Sequence, residues 1–462
     1  MQITDPSDSM TATERKAAFS LSFIFMLRML GLFMILPVFA LYAQTLEGYT
    51  PLMVGLAVGA YGLTQAVCQI PFGMMSDRWG RKPIIVVGLV IFAIGSAIAA
   101  LSDTMMGVVI GRAIQGAGAI SATVMALAAD LTREEHRLKA MAVIGMSIGM
   151  SFSVALIAGP LLDGWVGVPG IFWVTALMAL LGILVIKFIV PNPVVSRFRR
   201  DAVAEPAQFK NILKDGELSR LNIGIFALHM ILTATFVVLP LALRDHAGLP
   251  PPEHWKIYLG VMLAALVLMV PFIIRAEKKR QMKQVFLGSI VAVGLAEAAM
   301  ALSYQSTTAM IAALLLFFVA FNVLEATLPS LIAKMAPPDK KGTAMGLYSS
   351  SQFLGAFVGG AVSGWLYGEG GVGAVFVFCT LVALGWLIVA MTMKNPRYLS
   401  SYMLNVGGMD EEQAKQLSAK LTQVRGVAEA VVIAEDGIAY LKVDNHALDR
   451  EQLQTFSVVQ AG

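Results

Sequence analysis

Apolar runs long enough to cross a membrane follow one another along most of the chain. A spanning helix needs about 20 mostly apolar residues to cross roughly 30 Å of hydrocarbon. Twelve such runs are present, at residues 17–43, 51–76, 83–102, 104–130, 138–163, 168–191, 220–244, 255–275, 283–303, 307–334, 341–367 and 370–393. The pattern predicts an all-α membrane protein. It has a polar N-terminal segment (1–16), a six-helix bundle (17–191), a polar cytoplasmic linker (192–219), a second six-helix bundle (220–393) and a small C-terminal domain (396–462).

The composition is typical of a protein that lies in a lipid bilayer. Hydrophobic residues make up 57% of the chain and charged residues 14%, whereas soluble domains carry about 25% charged residues. This excludes a water-soluble enzyme. Cys68 and Cys379 both lie inside apolar runs, which excludes a disulfide framework and a cysteine-bound metal centre. We therefore expect no enzymatic activity, no cofactor, no resident metal and no nucleic-acid partner.

Lys and Arg residues lie almost entirely on one side of the predicted spans. With a cytoplasmic N-terminus, the cytoplasmic segments hold twenty-three of them and the loops on the other side hold two, Arg244 and Lys256. Positive charge collects in the cytoplasmic loops of membrane proteins. The distribution predicts a multi-pass protein of the bacterial inner membrane with both termini in the cytoplasm.

The two predicted bundles carry an internal repeat with an offset of about 200 residues. The matched pairs are Pro71 and Pro271, Gly159 and Gly359, Gly164 and Gly364, and Trp165 and Trp365. Chance recurrence of common membrane residues is the alternative explanation. Because the pairs fall in equivalent spans, we favour parallel halves of the kind found in transporters.

The loop between the second and third spans carries a polar motif. Its residues are Gly73, Asp77, Arg78, Gly80, Arg81 and Lys82. They resemble the G-x-x-x-D-[RK]-x-G-R-[RK] motif of the major facilitator superfamily. The resemblance covers residues 17–393 and implies the twelve-transmembrane-helix major facilitator fold, with 6+6 pseudo-symmetric halves. It also implies transport of a small molecule by alternating access.

The chemistry of this motif favours a latch between the halves. Asp77 ends a span, and the free N–H groups near Gly342 at the start of the eleventh span would stabilise its carboxylate. Gly80 permits a tight turn, and Arg81 needs an acid, for which Asp130 at the end of the fourth span is the candidate. We predict that these groups hold the halves together when the cavity opens outward. A solvated basic loop that only sets topology is the alternative.

Four ionisable residues lie deep inside predicted spans: Arg28, Arg112, His229 and Glu325, in spans one, four, seven and ten. Such groups are costly in hydrocarbon and mark functional sites. The resemblance implies that these spans line the central cavity. Arg112 and Gln115 open a sequence that resembles the family's R-x-x-Q-G-x-G motif, which implies a role in proton coupling.

A carboxyl group in a low-dielectric setting holds a proton more readily than in water. We therefore predict that Glu325 and His229 carry protons. Asn322 and Glu325 occupy the repeat positions of Arg112 and Gln115. The alternatives are a packing role for His229 and a permanent pair of Glu325 with an intramembrane arginine. Glu297 in span nine is expected to pair locally.

The fifth span contains a glycine-rich pattern. Its residues are Gly145, Gly149, Gly159, Pro160 and Gly164. They resemble a motif of the drug:proton antiporter branch, although Ala155 and Asp163 replace two of its glycines. We predict close packing against span eight or eleven and a hinge at Pro160; a plain packing face is the alternative.

Bulky apolar residues are predicted to line the cavity, which favours amphiphilic or drug-like substrates. The candidates are Phe33, Met34, Met146, Met150, Phe152, Phe236, Phe353 and Phe357. The alternative is that these residues only pack the core of the membrane region, because Met and Phe are common there.

The last residues predict a β-α-β-β-α order, with strands at 398–406, 426–434 and 438–443, helices at 410–424 and 448–455, and a further strand at 457–460. This is an α+β ferredoxin-like domain. It resembles heavy-metal-associated domains, but Glu411 and Ala414 stand where those have cysteines, so soft-metal binding is rejected. Binding of a regulator, self-association or stabilisation of the inner face remain.

The sequence thus predicts a proton-coupled antiporter that exports drug-like molecules. It lacks the G-x-x-x-x-G-K-[ST] loop of ATP-driven systems, so the proton gradient supplies the energy. Three alternatives remain: a proton symporter that imports a nutrient, a transporter-like sensor that signals through the C-terminal domain, and a metal exporter, which the missing cysteines oppose.

Overall fold

Most of the chain is helical. The computed structural model describes residues 10–192, 209–337, 341–395, 399–434, 437–444 and 447–457. The helices before the C-terminal domain are α1 (Ala12–Phe33), α2 (Leu36–Ala43), α3 (Pro51–Trp79), α4 (Arg81–Ala100), α5 (Met105–Ala117), α6 (Ser121–Asp130), α7 (Glu134–Phe188), α8 (Phe209–Lys214), α9 (Gly216–Leu241), α10 (His254–Lys278), α11 (Met282–Ser303), α12 (Thr307–Met335) and α13 (Lys341–Met391). Short π and 3₁₀ turns, Ala242–His246 and Pro251–Glu253, join α9 to α10.

Within the described residues, ten helical segments are long and apolar enough to cross a membrane. Two of them, Lys139–Phe188 and Gly342–Met391, contain 50 residues each. At 1.5 Å per residue such a helix is about 75 Å long, more than twice the roughly 30 Å hydrocarbon core. Each is broken at one glycine with left-handed backbone, Gly167 (φ 68°) and Gly371 (φ 69°). Each therefore provides two of the twelve predicted crossings.

The first and seventh crossings begin earlier than predicted. α1 starts at Ala12 rather than residue 17, because Thr11 and Glu14 form a capping box and Glu14 also pairs with Arg133 at 3.0 Å. α9 starts at Gly216 rather than residue 220, because the Asp215 side chain caps it. Residues 1–9 of the predicted N-terminal segment and 193–208 of the predicted linker lie outside the described residues.

The internal repeat has a structural counterpart in two helix contacts. A Cβ atom on Gly159 would lie 2.3 Å from the carbonyl oxygen of Met34, and one on Gly359 would lie 2.2 Å from that of Met230. The first contact joins the fifth crossing to the first, and the second joins the eleventh to the seventh. The same backbone approach thus recurs in both halves.

The two halves pack backbone to backbone along α3 and α13. A Cβ atom on Gly55 would lie 2.0 Å from the carbonyl oxygen of Gly360, and one on Gly364 would lie 2.6 Å from that of Pro51. We call Gly55, Gly59, Gly360 and Gly364 the glycine seal. We call the face that carries the α3–α4 turn at Gly80 the basic face. The glycine seal lies at the start of α3, at the end of the helix away from this face.

The C-terminal domain contains a three-stranded antiparallel sheet. Its elements are β1 (Ser400–Asn405), α14 (Glu411–Thr422), β2 (Val427–Ile433), β3 (Ile438–Val443) and α15 (Arg450–Gln454). They follow the predicted order, and the strands lie in the order β1-β3-β2. Ala439, Leu441 and Val443 of β3 belong to the domain core. The predicted turn residues 435–436 and residues 458–460 of the last predicted strand lie outside the described residues.

The C-terminal domain contacts the basic face through β3. Lys442 belongs to β3 of the small domain. Its ammonium group donates a hydrogen bond to the carbonyl oxygen of Lys334 at the end of α12. Just beyond β3, Asp444 lies 4.0 Å from Arg280. Lys442 is 2% exposed. The domain therefore contacts the second half of the membrane region at the ends of α10 and α12.

Candidate functional site: a central cavity

A cavity lies between the two bundles, with about 730 Å³ of empty space including its open mouth. Its polar lining consists of Tyr61, Arg112, Ser121, His229, Thr233, Ser349 and Gln352. Its apolar lining includes Met29, Leu32, Phe33, Val58, Leu232 and Phe353. Residues of both bundles contribute, and four predicted residues, Arg112, His229, Phe33 and Phe353, are among them.

The first bundle places two buried arginines beside one tyrosine. The Arg28 guanidinium donates to Ser121 Oγ at 3.0 Å, to the Gly118 carbonyl oxygen at 3.2 Å and to the Gln65 side chain. Its central carbon lies 5.8 Å from the Tyr61 ring centroid, and that of Arg112 lies 5.1 Å from it. Tyrosine faces attract such cations. The two charges therefore share one neutral, polarisable neighbour.

Arg112 is held by hydrogen bonds to the side chain of Gln115, a residue of the predicted motif, and to a backbone carbonyl oxygen. It donates to Gln115 Oε1 at 2.8 Å and to the Ala57 carbonyl oxygen at 3.3 Å. Gln115 in turn donates to Ser96 Oγ at 2.7 Å. The Arg112 Nη2 atom is buried without a hydrogen-bond partner within the described residues. The guanidinium thus keeps one donor group unused at the cavity wall.

The second bundle places an acid, an imidazole and an amide together. His229 Nε2 lies 3.4 Å from Glu325 Oε1 and 2.7 Å from Gln352 Nε2. The structure thus places Glu325 beside His229 rather than beside an intramembrane arginine. Asn322 lies one turn before Glu325 on α12, and its Nδ2 atom has no partner in the described part of the chain. An amide carries both donor and acceptor atoms, so Gln352 can serve either protonation state of His229.

Aromatic side chains bridge the two bundles beside the cavity. The Phe152 ring of α7 lies 5.1 Å from Phe33, 6.1 Å from Phe318 and 5.4 Å from Phe321. Phe236 lies 6.3 Å from Phe318. Of the other predicted lining residues, Met34 is buried, Phe357 packs on Gly59, and Met146 and Met150 are exposed. These four, together with Phe152 and Phe236, are not among the residues that line the cavity, whereas the predicted Phe33 and Phe353 are.

Glu297 lies away from the cavity lining. It is fully buried on α11, and its Oε1 atom lies 2.8 Å from the Thr235 hydroxyl. This local contact agrees with the expectation from the sequence.

The loop motif folds into a compact charged cluster. Arg81 forms an ion pair with Asp77, lies 3.1 Å from Asp130 Oδ2 and donates to Ser76 Oγ at 2.7 Å. Gly80 has a φ of 91°, which favours glycine. The cluster formed by Asp77, Arg81 and Asp130 lies within the first bundle, and we call it the inner latch.

The remaining loop residues have other environments. Lys82 donates to the Val190 carbonyl oxygen and to Asn192 Oδ1, both at 2.6 Å. Arg78 is exposed. A Cβ atom placed on Gly73 would lie 3.7 Å from the Cβ atom of Ala122, which belongs to the same bundle.

In the second half, a different ion pair occupies the corresponding place. Glu277 lies 2.7 Å from Lys334 and accepts a hydrogen bond from Ser330 at 2.9 Å. Here the acid ends the second helix of the bundle and the base lies on the fourth. In the first bundle the base, Arg81, begins the third helix and the acid, Asp130, ends the fourth.

The glycines of the fifth crossing do not pack as predicted. Gly159 approaches Met34 and Pro37 of the first crossing, rather than span eight or eleven. Nothing lies within 4 Å of a Cβ placed on Gly145, Gly149 or Gly164. Helix rotation decides which neighbour a glycine meets, and the sequence does not give that rotation. Pro160 lies inside the continuous helix α7.

Several polar residues in and beside the cavity are not among those predicted from the sequence. Gln65, Ser121 and Gln352 all contact a predicted ionisable residue, and Tyr61 lies under both arginines. Each is a polar residue within an otherwise apolar run, and this is the feature by which the sequence could have indicated them.

Comparison with known proteins identifies the family. A model of the Major Facilitator Superfamily matches residues 21–277 and 276–402. The chain belongs to this superfamily, whose members are transporters rather than enzymes.

Individual relatives agree with this assignment. The inner membrane transport protein YajR of Escherichia coli (strain K12) is 45% identical over 445 residues, covering 96% of this chain and 98% of that protein. The multidrug resistance protein MdtH of Cronobacter sakazakii is 25% identical and covers 75% of this chain and 85% of its own. A solved bacterial homologue of the human lysosomal transporter Spinster, in an inward-facing and occupied conformation, has a TM-score of 0.67 at 13% identity, covering 82% of this chain and 97% of that one.

Proposed function

We propose that this transporter resides in the bacterial inner membrane and exports amphiphilic, drug-like molecules in exchange for protons. The His229–Glu325–Gln352 group carries the proposal, because His229 and Gln352 line the cavity and Glu325, a second group able to hold a proton, lies 3.4 Å from His229. The names of the relatives YajR and MdtH, an inner membrane protein and a multidrug resistance protein, support it.

The proposed cycle uses alternating access around the midplane cavity. Lys and Arg residues favour a cytoplasmic basic face, so the glycine seal closes the outer side and the cavity receives substrate from the cytoplasm. When the halves rock and the outer side opens, the substrate leaves and Glu325 takes a proton. After the return, the proton leaves to the cytoplasm as the next substrate enters.

Transport by purified protein in vesicles with an interior pH dye tests this function. We expect a substrate to move opposite to an imposed proton gradient. Movement with the protons would instead show a nutrient importer. Protein that is folded and binds a compound but moves neither substrate nor protons would favour the sensor hypothesis.

We propose that the inner latch stabilises the state closed at the basic face. In that state Asp77 would reach the start of α13, where N–H groups and the helix dipole favour an anion. Gly73 and Gly80 would permit the approach and the turn, and Arg81 and Asp130 would hold the loop in position.

Replacing Arg81 or Asp130 by Ala is expected to destabilise the protein strongly. Both side chains are 2% exposed, and removing one partner of a buried ion pair costs about 3–5 kcal/mol. The double variant should lose less than the sum of the single losses, by roughly 0.5–3 kcal/mol. Chemical denaturation measures the free energy of unfolding of the wild type, the two single variants and the double variant. Arg78→Ala, at an exposed motif position, is the control with little effect, and additive losses would contradict the pairing.

We propose that the C-terminal domain is ferredoxin-like and stabilises or regulates the basic face through Lys442 and Asp444, whether or not it also binds a regulator or a second copy. Deleting residues 396–462 should leave measurable transport, reduced by less than about tenfold, because all cavity residues lie in the membrane region. Vesicle uptake measures this, and Asp444→Asn tests the contact in the full chain. Complete loss with a monodisperse, folded core would contradict the expectation.

A further inference from the structure

Arg112 lines the cavity, Arg28 lies behind the lining residue Ser121, and the partners of both arginines within the described residues are neutral. Arg28 contacts Gln65, Ser121 and the Gly118 carbonyl oxygen. Arg112 contacts Gln115 and the Ala57 carbonyl oxygen. No ion pair in the described part of the chain joins either arginine to a carboxylate.

This arrangement leaves positive charge without a counter-ion. Arg28 is 2% exposed and Arg112 is 1% exposed, and an arginine side chain keeps its charge in proteins. A buried charge is costly unless an opposite charge or hydrogen bonds compensate it. Tyr61 faces both guanidinium groups and supplies only its ring. An anion that enters the cavity would provide the missing compensation.

Arg112 offers a donor to such an anion. Its Nη2 atom is buried without a hydrogen-bond partner, and the residue lines the cavity together with Ser121. Guanidinium groups bind carboxylates with a planar pair of hydrogen bonds. A cationic substrate would instead meet a like charge, which disfavours binding.

The rest of the lining suits an apolar body. Phe33, Leu32, Val58 and Phe353 form part of the same wall. On the opposite bundle, the Glu325 carboxyl group lies 3.4 Å from His229 and is not among the residues that line the cavity. The cavity thus combines a cationic end with an apolar surface.

We propose that the substrate is an amphiphilic organic anion whose carboxylate binds Arg112 and whose apolar body packs on Phe33 and Phe353. This inference rests on the proposed transport function and specifies its substrate class. It distinguishes the cavity from one built for lipophilic cations. A nearby anion would help Glu325 keep its proton, so proton exchange requires the substrate carboxylate to stay on the Arg112 side of the cavity, where the arginines of the first bundle compensate its charge.

Three probes that share a naphthalene ring test the charge preference: 2-naphthoate, 2-naphthylmethanol and 2-naphthylmethylammonium. Calorimetric binding to the purified full chain, without a proton gradient, should favour naphthoate at least about tenfold over the other two. Preference for the cationic or neutral probe, equal affinity for all three, or no binding of any at millimolar concentration would overturn the proposal.

Two variants test the role of Arg112. Arg112→Gln should weaken naphthoate binding at least about tenfold and leave naphthylmethanol unchanged, and Arg112→Lys should restore part of the naphthoate affinity. Equal weakening of both probes by folded Arg112→Gln protein would contradict the assignment. Naphthoate binding without proton-coupled flux of any compound would defeat the transport function alone, whereas proton-coupled export of cations would defeat this inference alone.

Discussion

Replacing Glu325 by Gln is expected to abolish the dependence of transport on the proton gradient. The amide keeps the size and polarity of the side chain but neither binds nor releases a proton in this range. Its contact with His229 at 3.4 Å then no longer switches between charged and neutral forms. Gradient-driven transport should fall at least about tenfold, equivalent to ~1.4 kcal/mol, while exchange of substrate across vesicles without a gradient persists. Uptake measured between pH 5.5 and 8 (roughly the range that a poised carrier spans) should become flat.

Glu297→Gln provides the matched control for this prediction. Glu297 is a fully buried acid of the second bundle, and it contacts Thr235 away from the cavity lining. Its neutral variant should retain the pH profile of the wild type. If Glu325→Gln also kept that profile, or if Glu297→Gln alone lost it, the proton would not be carried by Glu325.

Replacing Gly55 by Leu is expected to prevent closure of the outer side. A Cβ atom there would lie 2.0 Å from the Gly360 carbonyl oxygen, and backbone of a packed helix cannot move aside as a flexible side chain can. The protein should shift toward the state open at the side of the glycine seal, and transport should fall at least about tenfold. The measurement uses a Thr233→Cys variant in which Cys68 and Cys379 are replaced by Ala. The rate at which a membrane-impermeant thiol reagent labels this cysteine from each side of the membrane reports which side is open.

Gly260→Leu is the control for the glycine seal. Gly260 is an exposed helical glycine of α10 with nothing within 4 Å of an added Cβ, so its variant should transport normally. Unchanged labelling from the seal side in Gly55→Leu protein, together with normal transport, would show that the seal does not close during the cycle.

The crossings could be predicted from the sequence because their length and apolar composition are set by the bilayer. The breaks at Gly167 and Gly371 fall close to predicted interruptions between spans. The starts of α1 and α9 could not be placed as well, because side-chain caps at Thr11 and Asp215 extend these helices into polar sequence.

The composition of the site was partly predictable, but its pairing was not. Glu325 and His229 stand out as ionisable residues in apolar runs, yet their contact depends on the rotation of α9 and α12 about their axes. The same rotation decides that Gly159 meets Met34. Tyr61 has no charge to single it out in the sequence, although it lies under both arginines.

Proton release on substrate binding tests the central claim, that substrate and proton compete within one cavity. Purified protein in weakly buffered detergent solution, with a pH indicator, would be mixed with a compound that it transports. We predict that binding to the wild type releases protons and that binding to Glu325→Gln protein releases none. Equal release by both proteins, or substrate binding to the wild type without any release, would contradict the account.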